Sequence, residues 1–153
     1  MSGFFYLSII NGKIITILFS KIFLLEEDLK LEKYEGKHII LEMYGCKFED
    51  LDNEELILNT FKRAVEEANM TLLNLVSHKF EPQGVTAVGL LSESHISWHS
   101  SPERGDGNHN GYCAMDFYTC GEQSKPELAM NVFLDVFKPE KKTIIYIPRG
   151  IEL

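Results

Sequence analysis

The chain has 153 residues, 44% of them apolar and 25% charged, which suits one domain with a single hydrophobic core and argues against wholesale disorder. A formal net charge of -8, with no cluster of Lys and Arg interleaved with aromatics, opposes phosphate backbones and excludes nucleic acid as a partner. Three cysteines, an odd number without an evident secretory leader, favour free thiols in a reducing compartment, so the expected location is cytoplasmic.

The apolar N-terminal stretch MSGFFYLSIINGKIITILFSKIFLL is interrupted by Lys13 and Lys21. It leaves no run near the roughly 20 residues that span a bilayer, and no membrane partner is expected. FYLSIINGKIITILF reads instead as two β-rich runs joined by Asn11-Gly12, the dipeptide a tight hairpin turn prefers. Residues 1–32 are therefore expected to form an extension, either a hairpin or the product of a start codon assigned too far upstream, and residues 33–153 the domain proper.

HIILEMYG reads as a buried strand. Asp52 with Glu55 three residues on predicts a capping-box-like helix start, and Ile57, Phe61, Ala64, Val65 and Ala68 follow at helical spacing. TLLNLVSHKF and GVTAVGLLS predict two strands around Glu81-Pro82-Gln83. HISWH predicts a short one with His95, Ser97 and His99 on one face and Ile96 and Trp98 on the other. ERGDGNHNG is dense in Gly, Asn and Asp and predicts a loop, in which the Arg104-Gly105-Asp106 triplet and His109 are read as ordinary solvated residues. YCAMDFYTC restores strand character, with Asp116, Tyr118 and Cys120 sharing a parity. Pro126 opens a second helix that buries Ala129, Val132, Phe133 and Val136 and stops at Pro139, and TIIYI is the last strand. Strands in pairs, with connections too short for parallel crossovers, predict an α+β fold: a two-layer α/β sandwich, mainly antiparallel, with helices on one face.

The cluster between Glu93 and Cys120 admits several readings from residue types alone. Ser and His on a half-exposed strand need no function. A metal site could draw on His95, His99, His109, Cys113 and Cys120, but no ligand signature is present, and His95 and His99 lie roughly 13 Å apart on a regular strand, so no metal is expected. A hydrolytic set of Ser94, His99 and Asp116 is conceivable, although Ser94 lacks the nucleophile-elbow glycines.

The residues also carry a resemblance. ESHISWH, followed downstream by AMDFYTCG, resembles the S-adenosylmethionine decarboxylases of the short prokaryotic type. GKHIILEMYGC, HKFEPQGVTAVGLLSESH and the closing strand extend the likeness from about Gly36 to Gly150. The resemblance implies a proenzyme that cuts itself between Glu93 and Ser94 into residues 1–93 and 94–153, turning Ser94 into a pyruvoyl group that serves as its own cofactor. Such a ketone can form a Schiff base with an amine substrate and accept the electrons released as carbon dioxide leaves. The resemblance further implies that His99 takes the serine α-proton, that Thr86 assists processing, and that Cys120 returns a proton after decarboxylation. Phe80 matches an aromatic that stacks on adenine and Glu103 a carboxylate that holds the ribose hydroxyls. A homodimer of processed pairs, with sites built from both protomers, completes the implied picture, and the product would serve spermidine biosynthesis.

Two departures bear on the substrate. Ser101 stands at the family's tryptophan position, and residues 103–111 are expanded. Ornithine or arginine decarboxylation by the same chemistry is the alternative substrate reading, and an uncleaved, noncatalytic binding homologue is the alternative of another class.

Overall fold

A computed structural model describes residues 5–10, 13–18, 36–103, 111–121 and 123–150. Strand β1 (Phe5–Ile10) pairs antiparallel with β2 (Lys13–Leu18), from Phe5 opposite Leu18 to Ile10 opposite Lys13. Asn11-Gly12, the Arg104-Gly105-Asp106 triplet and His109 lie outside the described residues.

The domain is one six-stranded sheet under helices. In chain order its elements are β3 (Gly36–Cys46), α1 (Phe48–Leu51), α2 (Glu54–Glu67), β4 (Leu72–Lys79), β5 (Val85–Leu91), β6 (Ser94–Ser101), β7 (Gly111–Cys120), α3 (Pro126–Phe137) and β8 (Lys141–Arg149). The spatial order is β4-β5-β6-β7-β3-β8, and every neighbouring pair is antiparallel. The expected α+β two-layer sandwich is what the chain forms.

Alternation along the strands explains the layering. In β6, Ile96, Trp98 and Ser100 are buried, and in β7 Cys113, Met115, Phe117 and Thr119 are. These side chains meet Phe61 of α2 and Phe133 and Phe137 of α3, with Phe61 edge-on to Phe133 at 5.2 Å and Trp98 4.6 Å from Phe137 between ring centroids. Each fully buried Ile, Met or Phe among them contributes about 1.5–3 kcal/mol through removal from water. Among the described residues no helix is long and apolar enough to cross a membrane.

The opposite face of the sheet has no layer over it among the described residues. By register it carries Val76, Thr86, Val88, Leu90, His95, Ser97, His99, Asp116, Tyr118, His38, Ile40 and Ile145. Leu90 is 50% exposed, Val76 56% and Ile145 45%, an apolar content that is costly to leave in water.

Two local readings change, and the expected face of Trp98 holds. Helix α2 starts one residue later than the Asp52–Glu55 pattern predicts: Asn53 is its N-cap, accepting the Leu56 N–H at 3.0 Å, while Asp52 closes the C-terminus of α1. Both residues are good caps, and a short unforeseen helix upstream decides between them. In α3 the buried position is Phe137, with Val136 half-buried. Trp98, the aromatic nearest in sequence to the missing tryptophan, belongs to the helix-side core, and its indole N–H is buried without a hydrogen-bond partner among the described residues.

Candidate active site

Two groups of polar residues occupy opposite ends of β6. The first surrounds the Glu93–Ser94 peptide bond, in the tight connection between β5 and β6. Ser94 has φ +142°, a backbone region that L residues rarely adopt and that usually stores strain of order 1–3 kcal/mol. The connection is held at three points. The Cys120 N–H donates to the Glu93 carbonyl at 2.8 Å, the Ser92 N–H donates to the Thr71 carbonyl at 3.0 Å, and the Glu93 carboxylate accepts the Thr71 N–H at 3.0 Å. Ser94 Oγ lies 3.1 Å from His95 Nδ1. Cys120, the last residue of β7, is exposed, one step past Thr119, which pairs with Ser94.

A second group lies at the far end. Thr86 and His99 are cross-strand partners, and Thr86 Oγ1 is 2.6 Å from His99 Nδ1. The Phe80 ring, 39% exposed, is edge-on to His99 at 6.2 Å and to His78 at 4.6 Å. Phe80 is thus a wall of the open face and no part of the core. Ser101 is half-buried at the end of β6, and Glu103 is exposed just beyond it, at the edge of the described residues.

The turn that carries Phe80 is clamped from the helical layer. Its ends meet in a Phe80 N–H to Gly84 carbonyl bond of 2.8 Å, and one oxygen of Asp52 accepts both the Gly84 N–H, at 2.7 Å, and the Lys79 ammonium. Gly84 has φ +99°, and a Cβ there would stand 3.0 Å from the Ser100 carbonyl, so this turn requires glycine. Desolvation works against ionisation of Asp52, but the hydrogen bonds from Lys79 and Gly84 outweigh it and hold the carboxyl below its ordinary range. The role of Asp52 escaped local pattern reading because its partners are remote in sequence.

Between the two ends the open face carries an ionic network. Asp116 Oδ1 is 3.0 Å from His38 Nε2, its other oxygen accepts the Ser97 hydroxyl at 3.1 Å, and an Arg149 guanidinium nitrogen is 3.1 Å from His38 Nδ1. With Arg149 able only to donate, His38 Nδ1 accepts and Nε2–H points at Asp116. Asp116 is therefore engaged with His38 and Ser97, and the Ser94–His99–Asp116 hydrolytic set does not assemble. Among the described residues no group of three or more potential metal ligands converges. Cys46 and Cys113 are buried; burial, reinforced by Asp50, pushes the Cys46 thiol up to about 12, and burial likewise raises Cys113.

Ser94 and His99 are five residues apart on one strand, about 16 Å at the usual rise of roughly 3.3 Å per residue. One chain keeps its two groups apart.

Residues 37–150 match the family profile described as S-adenosylmethionine decarboxylase, three quarters of the chain. The chain belongs to the S-adenosylmethionine decarboxylase family. An S-adenosylmethionine decarboxylase proenzyme of Methanococcus maripaludis is 47% identical over 119 residues, 78% of this chain and 93% of that protein. One from Prochlorococcus marinus is 50% identical over 94 residues, 61% of this chain and 70% of that one. Among solved structures, the adenosylmethionine decarboxylase of Aquifex aeolicus superposes with a TM-score of 0.71 at 34% identity, covering 80% of this chain and 96% of that one. These S-adenosylmethionine decarboxylases are short forms, as the ESHISWH resemblance implies, and the matched region leaves residues 1–36 outside the family profile.

Proposed function

We propose that this chain is a self-processing decarboxylase that converts S-adenosylmethionine to its decarboxylated form and carbon dioxide for polyamine synthesis, using a pyruvoyl group made from Ser94. The observation that carries this reading is the engaged Glu93 carbonyl beside a strained Ser94: the Cys120 N–H already donates to the oxygen that becomes anionic when Ser94 Oγ attacks. No added metal or coenzyme is called for.

The residues fit that chemistry. Attack of Ser94 Oγ on the Glu93 carbonyl carbon exchanges the amide for an ester and frees the Ser94 nitrogen as an amine. His99 then removes the Ser94 α-proton, the Glu93 carboxylate leaves with the C–O electron pair, and hydrolysis of the dehydroalanine releases ammonia. A pyruvoyl group here supplies a carbonyl conjugated to an amide, which condenses with the substrate amine and takes up the electrons that decarboxylation leaves. Thr86, bonded to His99 Nδ1, fixes the orientation of that ring. Cys120 holds the proton that the substrate carbon receives. Phe80 stacks on adenine and Glu103 binds the ribose hydroxyls.

The strand distance between Ser94 and His99 supports a homodimer whose sites take residues from both copies. A twofold axis lying between two facing sheets, perpendicular to β6 near Ser97, sets the Ser94 end of one chain over the His99 end of the other. Facing sheets pack about 10 Å apart. The same contact covers Val76, Val88, Leu90 and Ile145.

Intact mass together with a radiochemical assay of carbon dioxide tests the reading. Purified protein is expected as residues 1–93 and a pyruvoyl-blocked 94–153, releasing carbon dioxide from S-adenosylmethionine. A single uncut chain would leave the noncatalytic homologue standing, and release only from ornithine or arginine would transfer the chemistry to those substrates.

A further inference from the structure

We propose that His95 is the base that starts self-processing, a catalytic role at the Ser94 hydroxyl distinct from that of His99. The proposal rests on the reading of Glu93–Ser94 as a self-cleaving bond and adds the group that drives its first step.

Adjacent residues of a regular strand point to opposite faces, so the side chains of Ser94 and His95 should diverge. They do not: Ser94 Oγ and His95 Nδ1 are 3.1 Å apart, and the cause is the φ of +142° at Ser94, which breaks the alternation at the first residue of β6. The strained conformation therefore brings the nucleophile to an imidazole. His99, five residues on, is out of reach of the same hydroxyl within the chain.

The surroundings fix the ring. His95 is half-buried on the open face, its imidazole edge-on to Tyr118 at 5.9 Å, and Leu90 is its cross-strand partner on β5. Tyr118 in turn lies under the Arg149 guanidinium at 5.0 Å and beside the His38 ring at 5.5 Å. No carboxylate has an ion pair with His95 among the described residues, and a cation sits behind Tyr118. In the tautomer with its proton on Nε2, the ring directs the lone pair of Nδ1 at Ser94 Oγ.

The step balances without an outside reagent. Nδ1 takes the Ser94 hydroxyl proton as Oγ bonds to the Glu93 carbonyl carbon, and the Cys120 N–H holds the resulting oxyanion. When the oxyanion collapses, the carbon–nitrogen bond breaks and His95 passes its proton to the departing Ser94 nitrogen. Amide becomes ester plus amine, and His95 ends neutral, as it began. A histidine base of this kind is generally worth 10²- to 10⁴-fold in rate.

The two histidines act on opposite sides of the ester, so they can be told apart by hydroxylamine, which cuts esters and spares amides. Freshly expressed parent, His95→Ala, His95→Gln and His99→Ala chains would be followed by intact mass, with and without hydroxylamine, and with added imidazole. His95→Ala and His95→Gln are expected to be cut at least ~100-fold more slowly than the parent, to persist as hydroxylamine-resistant amide, and His95→Ala to be accelerated by imidazole in proportion to its concentration. His99→Ala is expected to accumulate a hydroxylamine-labile ester. Cleavage of His95→Ala at the parent rate, a labile ester in that variant, or indifference to imidazole would overturn the role of His95 while the cut parent keeps the self-processing reading intact. An uncut parent would overturn both.

Discussion

The two ends of β6 differ in what holds them. At the Ser94 end most of the holding contacts involve backbone groups: a strained φ, a carbonyl held by the Cys120 N–H, and a turn tied to the Thr71 backbone by the Ser92 N–H and the Glu93 carboxylate, with the Ser94 hydroxyl against His95. At the His99 end they are made by side chains: Thr86 on His99, Phe80 against His78 and His99, and Asp52 behind the Phe80 turn. A bond that must break needs its carbonyl fixed whatever side chain lies nearby, whereas a pocket that recognises a substrate is shaped by the side chains lining it. On the proposed reading, substitutions at Ser94 and at Phe80 should separate processing from substrate binding.

The largest effect is expected from Ser94→Ala, which removes the nucleophile: intact mass should give one uncut chain of residues 1–153 and no carbon dioxide release. Cys120→Ala should sharpen the contrast, because the substitution keeps the backbone N–H on the Glu93 carbonyl. Cleavage should remain complete, with turnover down roughly 100-fold or more through loss of the proton donor; unimpaired turnover would contradict that role. Phe80→Leu at the other end should leave cleavage intact and raise KM for S-adenosylmethionine about tenfold, the worth of one aromatic stack. Asp52→Ala, which releases the turn that carries Phe80, should raise KM in the same direction by less, and add little in the Phe80→Leu background. Because its folded-state pKa is lowered, Asp52 contributes to stability above the ordinary carboxyl pKa of about 4, and that contribution is lost as pH falls through the folded value. Thermal melts of the parent and Asp52→Ala should therefore converge in acid. The smallest effect is expected from Trp98→Phe: some apolar area is lost, but so is a buried N–H without a partner among the described residues, so stability should move by less than about 1 kcal/mol and KM not at all.

The strand alternation that puts Ile96 and Trp98 under the helices and His95, Ser97 and His99 on the open face is legible from residue order, because a period of two admits one arrangement once one face is apolar. The same holds for the apolar stripe of α2, from Ile57 to Ala68. The ends of elements are less legible. Asp52 and Asn53 are both competent caps, and what separates them is the short helix α1 that ends on Asp52, whose carboxylate is then taken up by the remote Gly84 N–H and Lys79. At the site, Ser94, His99, Thr86, Phe80 and Cys120 are recognisable through motif resemblance. The backbone contact between Cys120 and Glu93 has no side-chain signature, and a positive φ at a serine leaves no trace in composition. The strand arithmetic that separates His95 from His99 applies equally to Ser94 and His99, and beside the family resemblance it is the sequence-level clue behind the proposed sharing of the site between copies.

Co-expression of two inactive, differently tagged chains, one carrying Ser94→Ala and the other His99→Ala, tests the central claim most directly. A site shared between copies predicts that the His99→Ala chain, which retains Ser94, is cut in the mixed dimer by the partner's intact histidine, while the Ser94→Ala chain stays whole and decarboxylation reappears at one site per dimer. If both chains remain uncut in a verified mixed dimer, the ends of β6 do not complete each other across two copies, and the proposed assembly of the active site is wrong.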